Sequence, residues 1–151
     1  MQTVGVICEY NPFHLGHARQ FAAIRRQLGQ DAAIVCLMSG NYVQRGEPAV
    51  FDKLTRARAA ADAGADLVLE LPITCALQSA EGFAGGGVQI LSQLGCGYLS
   101  FGCESGSADA LLRAAGASRT PEFEAALHEA MQAGLSYAAA RQRTLCSLGA
   151  D

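Results

Sequence analysis

The 151-residue sequence predicts an α/β fold: an open parallel sheet with helices between its strands and further helices at its C-terminal end. Three observations predict it. Short apolar runs alternate four times with helical patterns, as βα units of a parallel sheet do. The run from Ala32 to Met38 is apolar without a break, which suits a strand covered on both faces. From Ala108 onward only helical periodicity remains. Right-handed crossovers then follow from the twist of the strands.

The elements follow in order. Val4 to Cys8 is the first strand, and it breaks at Glu9-Tyr10-Asn11-Pro12, where Pro12 keeps Asn11 extended. A helix covers roughly 15–29, with Phe21, Ala22, Ile24 and Leu28 on its apolar side and Gly29 as its C-terminal cap. After the second strand comes Ser39–Pro48, long beside the usual loop of about 4–6 residues. Residues 51–64 read as a helix with Lys53, Arg56 and Arg58 on its first turns. Cations there oppose the helix dipole, a placement tolerable on an exposed surface and useful beside an anion.

Asp66 to Leu71 is the third strand, with Glu70 near its carboxyl end either organising a site or capping the loop backbone. Residues 75–95 form a helix or a broken helix, because Gly82, Gly85, Gly86 and Gly87 each weaken it by about 1 kcal/mol relative to alanine. The glycine run lacks the preceding strand and the Lys-Ser/Thr of a phosphate loop, so close packing or a kink explains it better. Gly97 to Phe101 is the fourth strand, followed by the turn Gly102–Gly106. A helix over Ala108–Ala115 comes next; Thr120 and Pro121 open another that runs to about Met131, and Ser136 opens the last, over Tyr137–Leu148. His128 falls in a helix interior and reads as structural or solvated.

Composition narrows the classes. Residues 1–75 carry seven basic and seven acidic side chains, whereas 76–151 carry four and seven, so the net charge of −3 sits in the second half. That argues against a broad nucleic-acid face within these residues. No apolar run approaches the roughly 20 residues needed to span a bilayer, and no basic segment precedes the first apolar run as in a secretory signal. Cys8, Cys36, Cys75, Cys96, Cys103 and Cys146 form no Cys-x-x-Cys, and none stands near a histidine at zinc-site spacing. They read as reduced thiols of a cytosolic, cytoplasmic protein, with no metal ligand set.

The chemistry concentrates at the first strand–helix junction. His14-Leu15-Gly16-His17 puts two imidazoles three residues apart at the start of a helix, on one face of its first turn. The free N–H groups and positive end of such a helix favour an anion, and Gly16 lets a ligand approach the backbone. Two imidazoles there can neutralise charge building on a phosphate oxygen during in-line attack, with no covalent enzyme intermediate. His14 and His17 are therefore the candidate catalytic residues. Arg45, in the long loop at a strand's carboxyl end, and Lys53 are candidate phosphate or substrate contacts. Gly102, directly after the fourth strand, would let an adenine or ribose lie against the backbone. A phosphate motif at the first βα junction makes the sheet Rossmann-like.

The His-x-Gly-His motif resembles the one shared by the nucleotidyltransferase superfamily and class I aminoacyl-tRNA synthetases. Further segments sharpen this: Glu9–His17, Ser39–Pro48, Asp52-Lys53 with Arg56-Ala57, Gly64–Pro72, Gln78–Glu81, Phe101–Gly106, Gly134–Tyr137 and Ala140–Gln142. Together they resemble the N-terminal part of the bacterial tRNA(Met) cytidine acetate ligase family. Gly85–Gly87 is richer in glycine than that family's pattern, and Ala138 stands where proline is frequent.

The resemblance implies a nucleotidyltransferase-type fold, ATP-dependent activation of acetate to acetyl-adenylate, and acetylation of N4 of the wobble cytidine in elongator tRNA(Met). It implies ATP-binding residues Ile7, Cys8, Glu9, Tyr10, Asn11, Pro12, Phe13, His14, Leu15, Gly16, His17, Ala18 and Gly102. Mg2+ is expected on the phosphates from the reaction type. Residues 1–117 are expected to form the nucleotide-binding α/β domain. Residues 118–151 are expected to form a helical segment packed on it that continues in a longer native protein, with tRNA met mainly by regions beyond this chain. Two other functions use the same motif: a nucleotidyltransferase of cofactor biosynthesis, and a non-catalytic nucleotide-binding module.

Overall fold

A computed structural model describes residues 1–103 and 107–150, so the expected turn residues Glu104, Ser105 and Gly106 lie outside the described residues. The chain divides into two compact units, residues 1–102 and 103–151.

The first unit is the parallel α/β sheet that the alternating pattern predicts. Strands β1 (Thr3–Cys8), β2 (Ala33–Ser39), β3 (Leu67–Leu71) and β4 (Tyr98–Leu99) lie in the order β3-β2-β1-β4, every pair parallel. Between them run α1 (Leu15–Leu28), α2 (Lys53–Asp62), the single turn α3 (Ile73–Ala76) and α4 (Ala80–Gln93). The residue period of two in the strands sorts the core into two layers. Val4, Val6, Cys8, Ile34, Cys36 and Met38 pack with Phe21 and Ile24 of α1 and Ala60 of α2. Val35, Leu37 and Leu71 pack with Leu91 of α4 and Ala76 of α3. Each buried Val, Leu, Ile, Phe or Met among them contributes roughly 1.5–3 kcal/mol by leaving water.

Several boundaries shift for local reasons. The helix expected over 51–64 starts at Lys53, because the Asp52 carboxylate caps it by accepting from the amides of Leu54 and Thr55 at 2.9 and 3.0 Å. Residues 75–95 are broken, but not at the glycines: α3 ends at Ala76, Ser79 caps α4, and α4 runs without interruption through Gly82 and Gly85–Gly87. The fourth strand is shorter than 97–101, because after Ser100 donates to the Gly5 carbonyl the chain leaves the ladder. Ala22, expected on the apolar side of α1, is exposed.

At the amino-terminal margin of the sheet the returns are tight. Helices α2 and α4 both end in Schellman motifs: Ala65 donates to Ala60 and Cys96 to Leu91, each at 3.0 Å, around left-handed Gly64 (φ 110°) and Gly95 (φ 79°). At the carboxyl margin the connections after β1 and β2 are longer, and residues 40–52 hold a 3-10 turn at Gln44–Gly46 and a bridge between Tyr42 and Pro48, whereas Pro72 alone separates β3 from α3.

The second unit contains α5 (Ala108–Ala117), α6 (Pro121–Gln132) and α7 (Tyr137–Ser147). Ser107, Thr120 and Ser136 cap them as hydroxyl acceptors, and Phe123, Leu145 and Ala150 form a small core with Ala114, Ala117 and Leu127. Because α5 supplies Ala114 and Ala117 to that core, the division falls ahead of the boundary expected at 117/118. His128 is exposed on α6, with its Nε2 2.8 Å from the Gln132 amide nitrogen.

Candidate functional site

The first strand ends into a strained turn. Tyr10 is buried at 2% exposure with φ 48°, a left-handed conformation that a bulky side chain rarely adopts. Packing holds it there: its ring meets Phe13, His17 and Phe21 edge-on, at centroid distances of 5.0, 4.7 and 6.3 Å. Its hydroxyl lies 3.2 Å from the Cys36 sulfur. Burial pushes the pKa of Tyr10 and of Cys8 up, so both remain protonated at neutral pH. The Asn11–Pro12 peptide is cis.

The turn delivers two imidazoles to the N-terminus of α1. His14 is the N-cap, and its Nδ1 accepts from the Gly16 amide at 3.1 Å. The Nδ1 of His17 accepts from the His14 amide at 3.2 Å, so the two rings form a reciprocal capping box. The rings stack, with centroids 3.8 Å apart and planes 23° apart. Because each Nδ1 is an acceptor, a neutral ring carries its proton on Nε2. Burial, and then the neighbouring His14, lower the pKa of His17 below its ordinary 6.5. His17 is therefore held as an N–H donor rather than a resident cation.

These rings open onto a cavity of about 740 Å³ at the carboxyl ends of β1 and β4. Of the residues expected at the nucleotide, Ile7, Cys8, Glu9, Tyr10, Asn11, Pro12, His14, Gly16, His17 and Gly102 line it. Phe13, Leu15 and Ala18 do not: Phe13 packs on the core and Leu15 is 77% exposed. Val6, Arg19, Gln20, Phe83 and Phe101 line it as well. Gln20 follows His17 by three residues, a helical spacing that places both on one face. Phe83 and Phe101 come from distant elements, and nothing local announces them. The Gln20 amide donates to Ser100 Oγ at 3.1 Å and ties α1 to the segment that leads into Phe101 and Gly102.

The remaining candidates lie elsewhere. Arg45 is exposed in the 3-10 turn, with φ 70°, outside the cavity lining. Lys53 is 2.6 Å from Glu70, beside a smaller cavity between α2 and β3. Glu70 thus pairs with a lysine, a partner the sequence reading did not name.

Arg56 overturns the expectation of an exposed cation. It is 2% exposed, and its guanidinium donates to the carbonyls of Glu9, Gly40 and Phe51. Alternation in the sequence could not show this, because two of the three acceptors, Glu9 and Gly40, follow different strands that only the sheet brings together. Among the described residues no group of three His, Cys, Asp or Glu is placed to hold a metal, and no helix is long and apolar enough to cross a membrane.

Comparison with known proteins places this geometry in a family. The family model described as HIGH Nucleotidyl Transferase matches residues 1–150. The tRNA(Met) cytidine acetate ligase of Exiguobacterium sp. is 48% identical over 146 residues, covering 95% of this chain and 39% of that protein. The protein of the same description from Acetivibrio thermocellus is 45% identical over 148 residues, covering 96% and 35%. The crystal structure of Thermotoga maritima TmcAL bound with alpha-thio ATP superposes with a TM-score of 0.86 at 41% identity, covering 96% of this chain and 36% of that one. The chain thus spans well under half the length of the relatives it matches. A parallel α/β sheet, a stacked His-x-Gly-His pair on its first helix and a family match along almost its whole length agree: the chain belongs to the HIGH nucleotidyltransferase family.

Proposed function

We propose that this chain is the ATP-activating part of a tRNA(Met) cytidine acetate ligase. ATP lies in the cavity with its triphosphate at the N-terminus of α1 and its adenosine toward Phe101 and Gly102. An acetate oxygen attacks the α-phosphorus in line. A new P–O bond forms as the bond to the bridging oxygen of the β-phosphate breaks, giving acetyl-adenylate and pyrophosphate. Negative charge grows on that bridging oxygen, and the Nε2–H donors of His14 and His17 accommodate it. N4 of the wobble cytidine in elongator tRNA(Met) then attacks the acetyl carbonyl carbon; AMP leaves and N4 gives up a proton. Arg45, outside the cavity, is free to meet an acceptor phosphate. A reaction between ATP and tRNA belongs in the cytoplasm.

Magnesium is expected on the phosphates. Glu9 is the one carboxylate among the lining residues, and its Oε1 already accepts from the Gln44 amide at 2.7 Å. The ion would arrive with the nucleotide, held by its phosphates.

The observation that carries this reading is the pair of rings stacked at 3.8 Å with both Nδ1 atoms committed to backbone. The relatives' names support acetate and tRNA(Met) as substrates. The test is acetate-dependent exchange of labelled pyrophosphate into ATP, on the protein as expressed from its gene. Exchange should require acetate and fall about a hundredfold in His17→Ala, the scale for removing one donor to a developing charge. Exchange that ignores acetate, or responds only to a phosphorylated metabolite, would overturn the ligase reading.

A further inference from the structure

Glu9 and Asn11 belong to the turn that lines the cavity, yet each gives a side-chain oxygen to another segment. Glu9 Oε1 accepts from the Gln44 amide and Asn11 Oδ1 from the Val50 amide, both at 2.7 Å. Both acceptors reach into the loop that follows β2. That loop folds on itself: Val43 donates to Glu47 and Ala49 to Asn41 at 2.9 Å, Tyr42 bridges Pro48, and Val43 is buried at 5% exposure.

Arg56 closes the same joint from inside the protein. Its guanidinium takes the Glu9 carbonyl from the turn, and the Gly40 and Phe51 carbonyls from the two ends of the loop. The loop is thus held at its start, middle and end by groups of the turn or by Arg56. Among the described residues the two non-glycine positions with positive φ are Tyr10 and Arg45, one in each segment. Each directly follows a residue of the Glu9–Gln44 hydrogen bond. Strained backbone of this kind persists only where the surroundings over-determine it.

A carboxylate lining a phosphate site repels its ligand, so its presence asks for a reason. We propose that Glu9 and Asn11 are positioning residues, whose side-chain oxygens dock the 40–52 loop behind the turn that lines the nucleotide site, so that the loop braces that turn. Nucleotide binding and loop docking are then one linked equilibrium: a ligand that fixes the turn fixes the loop, and the reverse. The proposal rests on the cavity being a nucleotide site. It assigns Glu9 the work of an acceptor, not of a charge.

Conservative substitution separates those two roles. Glu9→Gln keeps an oxygen for the Gln44 amide and drops the charge; Glu9→Ala drops both. Two quantities are read on the expressed protein: amide hydrogen exchange at Gln44 and Val50, without and with ATP, and ATP affinity by calorimetry. ATP should slow exchange at both amides in the unsubstituted protein. Glu9→Ala should speed Gln44 exchange and weaken ATP binding about tenfold, the scale of one lost hydrogen bond to a charged group. Glu9→Gln should restore both. Asn11→Ala, a separate and milder lesion, should speed exchange at Val50.

If Glu9→Gln binds ATP as poorly as Glu9→Ala, charge matters and the proposal fails. It fails too if Glu9→Ala speeds Gln44 exchange and leaves ATP affinity unchanged. Protection of Gln44 without ligand is measured independently, so an unsubstituted protein that binds no ATP condemns the nucleotide reading itself.

Discussion

His17 shows how much one side chain can settle. Its Nδ1 is taken by backbone and its ring is sandwiched by His14 and Tyr10, so only Nε2 is left for a ligand. Burial and His14 lower its folded pKa below the unfolded 6.5. The sign follows by linkage. Above pH 6.5 the ring is neutral folded or unfolded and adds no pH dependence. Below 6.5 the unfolded chain takes the proton first, so stability falls until the folded ring titrates too. An NMR titration of the free protein should give a His17 midpoint below 6.5, moving up when a triphosphate is bound; a free midpoint at or above 6.5 contradicts the packing described. The imidazole pair was legible in the sequence because a capping box is local chemistry. Arg56 was not, since a guanidinium among three carbonyls looks the same in sequence as one in water.

At the scale of elements, β1 and α4 fit by exchanging sizes. Gly5 of the strand leaves room for Leu91, and Gly87 of the helix leaves room for Ile7: a Cβ on either glycine would come within 2.6 Å of the facing side chain. Gly85 faces nothing within 4 Å. Two neighbouring glycines should therefore respond oppositely to alanine. Gly87→Ala should destabilise by about 1–3 kcal/mol through overpacking against a stiff β-branched neighbour. Gly85→Ala should stabilise by up to about 1 kcal/mol through helix propensity. Urea denaturation of both variants checks this, and equal shifts would refute the fit. The glycine run announced close packing in the sequence, but which glycine packs depends on the register of helix on strand, and composition carries no register. The short β4 is likewise not legible in composition: its pairing ends at Gly5 although β1 runs on to Cys8, because the chain leaves the ladder after Ser100.

At the scale of the whole molecule, the alternation of apolar runs and helical patterns was enough to read four parallel strands, because each βα unit is a local signal. The division of the chain was not, since it turns on α5 sharing a core with α6 and α7. Both sheet layers and every residue lining the cavity fall within residues 1–102. A chain ended after Gly102 should thus keep cooperative unfolding and bind ATP within about threefold of the 151-residue chain, since it keeps every described residue that lines the cavity. Circular dichroism and calorimetry decide it; loss of the sheet would show that the helical unit is needed to fold the first. The contrast between the two margins of the sheet has a consequence for how such a scaffold diversifies. One margin has minimal Schellman returns after α2 and α4 and serves as a frame; the other carries the longer connections after β1 and β2. New recognition can be grafted by lengthening or rewriting the second, while the first keeps the strands in order regardless of which molecule is being read.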